Sequence, residues 1–252
     1  METVYYFPVP MKVALLADLH NRPYFKIIQS LSDHRPEVIC IAGDVIFGGS
    51  PGKTGLLIQS QDYVLPFLRA CCGIAPTFLS LGNHELALAE EDLQLIRNTG
   101  CVILDNDWAT YNGLAIGGLT SHHVLEFRRF REGKNERYPV RRIARRIIRE
   151  PDIGWLTDFE KQPGYKILLC HHPEYYPKYL QGRDIDLILS GHAHGGQWNI
   201  GQQGIYAPGQ GLFPRLTSGI HDGRLVISRG LSNPTPIPRL NNPPEVVYLQ
   251  SR

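Results

Sequence analysis

A chain of 252 residues, 42% of them apolar, is long enough to bury a full core within one catalytic domain, which is the expectation for residues 1–252. A formal net charge of +2 marks it neither as a nucleic-acid binder nor as an acidic surface protein. No run of 18 apolar residues is present to cross a membrane. Five cysteines are an odd number, and Cys40 and Cys170 lie inside apolar runs, so they read as core thiols in a reducing compartment rather than a disulfide framework. The amino terminus shows no export signal, because Pro8, Pro10 and Lys12 break its apolar run. The expected location is the cytoplasm, with attachment to a membrane surface as the alternative.

The first strand is expected over residues 13–17 and ends in Asp18-Leu19-His20. A helix over 24–33 leads to a strand at 38–42, which ends in Gly43-Asp44. A second helix over 62–70 precedes the strand 78–81 and its terminal Gly82-Asn83-His84-Glu85, and a third spans 90–99. Strands at 167–170 and 187–189 run into His171-His172-Pro173 and Gly191-His192-Ala193-His194. Continuous apolar strands alternating with amphipathic helices define an α/β sheet, whose strand carboxyl ends form the ligand edge. Beyond Gly191 the composition turns to Gly, Gln and Pro, with strands expected at 224–228 and 245–249. The intervening proline-rich stretch, part of a carboxyl-terminal segment at about 231–252, reads as an ordered extended wrap.

Between Arg128 and Arg149 ten basic residues face only Glu132 and Glu136, leaving +8 there and −6 on the rest of the chain. Val140, Ile143, Ile147 and Ile148 recur at helical spacing, so a basic amphipathic helix is expected within an insert at about 126–150. Three readings stand for residues 128–149: a surface helix packed on its own core, a peripheral contact with anionic membrane, and contact with a nucleic-acid backbone. The same arginines are also suited to a second phosphate of a substrate. His122 and His123 before this segment have structural or substrate-contact roles, and His34 and His221 read as solvated turn residues.

Five strands that each end in metal-ligand residue types are the strongest signal. Residues i and i+2 of an extended segment point to one side, so Asp18 with His20, and His192 with His194, can grip one ion. Glycines before Asp44, Asn83 and His192 permit close backbone approach. A mixed imidazole and carboxylate set suits Mn, Fe or Zn better than Ca²⁺.

With DLH, GD, GNHE, H and GHAH in that order, the chain resembles the calcineurin-like metallophosphoesterase superfamily, whose signature is D-x-H, G-D, G-N-H-E, H and G-H-x-H. The match covers about residues 12 to 195. The resemblance implies an α/β fold arranged as a four-layer αββα sandwich, two β-sheets flanked by helices, with a dimetal site at the strand carboxyl ends. It makes Asp18, His20 and His194 ligands of one ion and Asn83, His171 and His192 ligands of the other, with Asp44 bridging both. His172 falls one position past the ligand of H-x-P and is placed behind the ions. Mn is the expected metal, with Fe or Zn as alternatives. Two ions roughly 3.5–4 Å apart activate a shared water and clamp the phosphate for in-line attack by a metal-held hydroxide. His84 takes the general-acid role, and Glu85 supports a histidine from behind.

GHAHGGQ, SRGL and NNPPEVVYLQ are similar to the bacterial phosphodiesterase-like branch, which includes membrane-associated enzymes and UDP-diacylglucosamine hydrolases. The chain departs from that branch at Thr120-Ser121-His122-His123 and the basic insert. The implied function is hydrolysis of a phosphodiester or pyrophosphate bond in a lipid- or nucleotide-linked substrate. The alternatives are a phosphomonoesterase or protein phosphatase, a nuclease, and a noncatalytic scaffold of the same fold. No obligate protein partner is inferred.

Overall fold

Strict alternation of apolar side chains sorts every central strand between two cores. Val13, Leu15, Val38, Cys40, Ala42 and Phe78 pack against Leu114, Ile116, Ile167, Leu169, Leu187 and Leu189 in one buried cluster between two sheets. Their neighbours Ala14, Leu16, Ile39, Ile41 and Leu79 face the other way, onto Leu31, Val64, Phe67 and Leu68 of the helices Phe25–His34 and Val64–Cys72. On the far side Ala115, Leu119, Leu168, Cys170 and Ile188 meet Leu156, Phe159, Tyr175, Tyr176 and Leu180. Three apolar interlayers therefore separate four layers, the αββα sandwich, and strands buried on both faces account for the unbroken apolar runs in the sequence. The computed structural model describes residues 1–48, 56–121, 123–130, 141–148, 150–201 and 203–251.

The first sheet has the order Glu2–Tyr6, Val246–Gln250, Val13–Leu16, Val38–Ala42, Thr77–Ser80, Val102–Leu104. The second runs Gly219–His221, Leu225–Ile227, Leu187–Ser190, Tyr165–Cys170, Leu114–Leu119, Asp107–Tyr111. The strands that carry the motifs are parallel within each sheet, so Asp18, Asp44 and Asn83 emerge together from one sheet and His171 and His192 from the other. The carboxyl-terminal strand pairs antiparallel to Val13–Leu16 and parallel to Glu2–Tyr6, which makes the first sheet mixed.

The expected basic helix is not formed. Strands His123–Phe130 and Arg141–Ile148 pair antiparallel in a separate two-stranded ribbon, with His123 opposite Ile148 and Phe130 opposite Arg141. A spacing of four, as between Ile143 and Ile147, is even and fits strand alternation as well as a helical turn. β-branched residues and a partner strand across the ladder favour the extended form. The helix expected over 128–149 also included 131–140 and 149, which lie outside the described residues, as does His122. Among the described residues no helix is long and apolar enough to cross a membrane.

Two histidines read as solvated are held by the fold. The His34 ring stacks on Tyr248 with centroids 4.1 Å apart, and its Nδ1 contacts the Ser30 carbonyl. His221 Nε2 contacts the Ser218 carbonyl.

Candidate metal centre

Beyond the strand ends the backbone ladder continues through the loops. The Asp18 amide donates to Gly43 O, His20 to Asp44 O and Asn21 to Val45 O, so the first two loops advance side by side. Across the interface between sheets, the His192 amide donates to Asp18 Oδ2 at 3.1 Å, which locks the fifth motif onto the first. Asp18, His20, Asp44, His192 and His194 all have positive φ, between 47° and 65°. This corrects the expectation that alternation along an extended segment brings Asp18 to His20 and His192 to His194: left-handed turns do it. Each such residue costs about 1–3 kcal/mol, tolerated because the ladder fixes the backbone on either side.

Glycine is required where the loops touch. A Cβ on Gly82 would stand 2.3 Å from Asp44 Oδ1, and one on Gly191 would stand 2.7 Å from Asp18 Oδ2.

The buried side chains form a compact donor array. His20 Nε2 and His194 Nε2 each lie 3.6 Å from Asp18 Oδ1 and 3.3 Å from one another. Donors held about 2.0–2.2 Å from a common ion stand about 3–3.6 Å apart, so this triangle has the dimensions of one coordination face. His171 Nε2 lies 3.0 Å from Asp44 Oδ2, and Asp18, Asp44 and His171 present ligand atoms within 4.8 Å of one another. His171, His172 and His192 do the same, as do His20, Asp44 and His84. Asp44 therefore stands between the two halves. Asn83 lies between Gly82 and His84, both in contact with Asp44, and among the described residues its buried Oδ1 has no hydrogen-bond donor. Among the same residues the buried Asp18 Oδ1 has none either. Buried acceptors that converge with imidazoles and lack donors fit a bound cation, and this carboxylate, imidazole and amide set suits a first-row transition metal.

Electrostatics follow the same geometry. Burial pushes the Asp18 carboxyl up, but the surrounding histidines, His194 foremost, prevail and hold it at about 2. Burial likewise pushes Asp44 up, and His171 overcomes that, holding it well below the usual carboxylate range. Burial opposes charge on His171, yet Asp44 raises it to about 10. Burial depresses His194 to about 4, with His20 and Arg239 adding to the effect against Asp18.

Around this array lie further supports, most of which the sequence alone did not single out. Glu85, expected behind a histidine, is hydrogen-bonded to backbone amides. Its Oε2 accepts the amides of Asp44 and Gly82 at 2.8 Å each and its Oε1 that of Ile46 at 3.1 Å, tying the second loop to the third. Burial and the nearby Asp44 push this carboxyl up to about 7, against the pull of the Ile46 and Asp44 amides. Glu174 Oε1 accepts from His172 Nδ1 at 3.1 Å, which orients that ring, and lies 3.7 Å from His192 Nε2. His172 is itself fully buried. The proline-rich stretch is an extended strap over the same edge: Leu231 N donates to Ala17 O, Ser232 Oγ to Asp18 O, and Asn242 Nδ2 to His194 O. Arg239 reaches from the strap to His194 Nδ1 at 3.0 Å. Only the HHPE string offered a sequence signal for any of these, through the spacing of Glu174 from His172.

The fold and this edge define a metal-dependent phosphoesterase. The chain belongs to the calcineurin-like phosphoesterase family, whose sequence model matches residues 11–196. It is 27% identical over 257 residues to phosphodiesterase YaeI of Escherichia coli (strain K12), an alignment spanning 96% of this chain and 82% of that one. It is 26% identical over 243 residues to the protein YpbG of Bacillus subtilis (strain 168), spanning 94% and 79% of the two chains. A metallophosphoesterase of Aquifex aeolicus (strain VF5) is 24% identical over 251 residues, with 95% and 84% covered.

Proposed function

We propose that the protein is a two-metal hydrolase of phosphodiester or pyrophosphate bonds, with its machinery in one domain and Mn as the preferred metal ahead of Fe or Zn. The observation that carries this reading is the pair of donor groups joined through Asp44, with the buried oxygens of Asp18 and Asn83 lacking hydrogen-bond donors among the described residues. Asp18, His20 and His194 would hold one ion, Asn83, His171 and His192 the other, and Asp44 both. Bound ions would supply Lewis-acid charge to the phosphoryl oxygens and lower the pKa of an attacking water.

The protein's own groups prepare that chemistry. His171 Nδ1 lies 2.6 Å from Ala42 O, which as an acceptor holds a proton on Nδ1 and leaves Nε2, the atom facing Asp44, as the nitrogen that would give up its proton to a bound ion. His84 is placed at the rim, part-exposed, with Nε2 3.8 Å from Asp44 Oδ2 and its ring stacked on Phe47. There it hydrogen-bonds the phosphoryl group and delivers a proton to the departing oxygen. The diester preference is supported by the likeness to a protein named a phosphodiesterase, and a lipid- or nucleotide-linked leaving group suits the branch features of the carboxyl-terminal strap. The arginines of residues 128–149 would meet anionic membrane or a further phosphate.

The test is hydrolysis of a chromogenic phosphodiester and the matching monoester by purified protein, with Mn²⁺ added and after chelation. Mn²⁺-dependent cleavage with the diester preferred is expected. Cleavage that survives chelation would overturn the metal mechanism, and a strong monoester preference would replace the diester reading.

A further inference from the structure

The histidines of this site are backed by groups of opposite character. Behind His171 stands a hydrogen-bonded carbonyl oxygen, Ala42 O, and a carboxylate oxygen of Glu174 lies 3.7 Å from His192 Nε2. The carbonyl increases the electron density that the His171 imidazole offers a cation, and the carboxylate adds negative charge near His192. Behind His194 stands a guanidinium. Arg239 Nη2 lies 3.0 Å from His194 Nδ1, and because a guanidinium has donors only, Nδ1 must accept, so the neutral ring of the metal-free protein carries its proton on Nε2; a cation bound at Nε2 requires that proton to move to Nδ1, where the Arg239 donor opposes it. The remaining contacts of Arg239 go to neutral acceptors, Nη1 to Arg229 O at 2.6 Å and Nη2 to Ser232 O. Among the described residues no carboxylate is in hydrogen-bond or ion-pair contact with its charge, and it sits one imidazole away from the Asp18, His20 and His194 triangle.

We propose that Arg239 is a positioning residue which aims His194 Nε2 at Asp18 and His20 and, through its charge, weakens the hold of that triangle on a divalent cation, keeping the cation exchangeable. The inference rests on the two-metal reading and adds a regulator of one of its two positions. Asp18 supplies a full negative charge to the triangle, and Arg239 offsets part of it from beyond the ring. Among the described residues the other position shows no such counterweight: Asn83 is neutral, and the Glu174 carboxylate lies 3.7 Å from His192. The strap carrying Arg239 therefore sets metal affinity as well as covering the edge.

Titration of metal-free protein with Mn²⁺, with the free ion followed by electron paramagnetic resonance, tests this directly. Asp18→Asn identifies the binding step that belongs to the triangle. Arg239→Met should tighten that step by about tenfold or more, the scale of effects from groups behind metal ligands, and leave the other step unchanged. Arg239→Lys, which keeps the charge, should remain near wild type. Simple structural damage loosens binding, so a Met variant that binds as wild type does, or more weakly, overturns the proposal. Nitrogen-15 NMR of His194 in the wild-type metal-free protein gives a check independent of variant folding: an unprotonated Nδ1 is expected, and a proton on Nδ1 overturns it. Wild-type protein that binds no Mn²⁺ sinks the two-metal reading along with this one, whereas two bound ions with no effect of Arg239→Met sink this inference alone.

Discussion

The amide of Gly48 donates to Nδ1 of His84 at 2.8 Å. That bond orients the ring so that Nε2, the nitrogen available to carry a proton into the site, is directed toward Asp44 Oδ2. The donor facing the site is therefore set by backbone, and Phe47 stacked alongside limits rotation of the ring. His84→Ala should lower turnover by about 10²–10⁴-fold on esters with poor leaving groups, with a smaller loss on nitrophenyl esters that need no proton. Metal content should be unchanged, since the ligand set is intact. Measuring kcat against leaving-group pKa checks this, and a slope unchanged from wild type would remove His84 from proton delivery.

Asp44 stands apart from the other carboxylates because its ligand atoms lie within 4.8 Å of those of Asp18 and His20 in one half of the site and of His171 in the other. Oδ2 lies 3.0 Å from His171 Nε2 and 3.8 Å from His84 Nε2, while Oδ1 accepts the His84 amide at 2.9 Å. Asp44→Asn removes the shared charge and places an amide nitrogen where an acceptor is needed. Metal analysis after dialysis should show occupancy falling from two ions toward one or none, with activity lost in parallel. Two retained ions would contradict the bridging assignment.

How much of this was legible in the sequence depended on the range of the signal. Strands such as Val38–Ala42 announce themselves because burial on both faces demands an unbroken apolar run, and the ligand types at their ends are written beside them. The means of convergence were not legible: left-handed turns at Asp18 and His20 belong to residues that rarely adopt them, and only the neighbouring loop ladder explains them. Arg128 to Arg149 misled because a four-residue spacing is compatible with two periods, and the choice between them was made by a partner strand distant in sequence. Arg239 and Asn242 act on His194 from 45 and 48 residues away, contacts that no local pattern encodes.

Glu85 offers a test of how the loops are joined. It is buried, and three backbone amides from two loops converge on its two oxygens. In Glu85→Gln one of those positions becomes an NH₂ group facing an N–H donor, which leaves at least one buried amide without an acceptor. The expected loss is about 1–3 kcal/mol of unfolding free energy, measured by urea denaturation of the metal-free protein. Because the Asp44 amide is among the three, turnover should fall as well, even at saturating Mn²⁺. A variant as stable as wild type would mean that these amides find other partners.

Asn242 probes the strap from the opposite side. Its Nδ2 donates to His194 O at 2.7 Å and to Gln197 O at 3.2 Å, and the side chain is 1% exposed. A Cβ on Gly195 would meet Asn242 Oδ1 at 2.0 Å, so the carboxamide fills the turn that follows the last motif. Asn242→Ala strips the donor from two carbonyls without water to replace it, and should cost about 1–3 kcal/mol in urea denaturation. Asn242→Asp should be the worse of the two, since it sets a carboxylate oxygen against the same two carbonyls and buries a charge without a partner. If the strap were only a surface covering, the two substitutions would be equally mild. The order Asp worse than Ala is what a carboxamide acting as a donor into the turn that carries His194 requires.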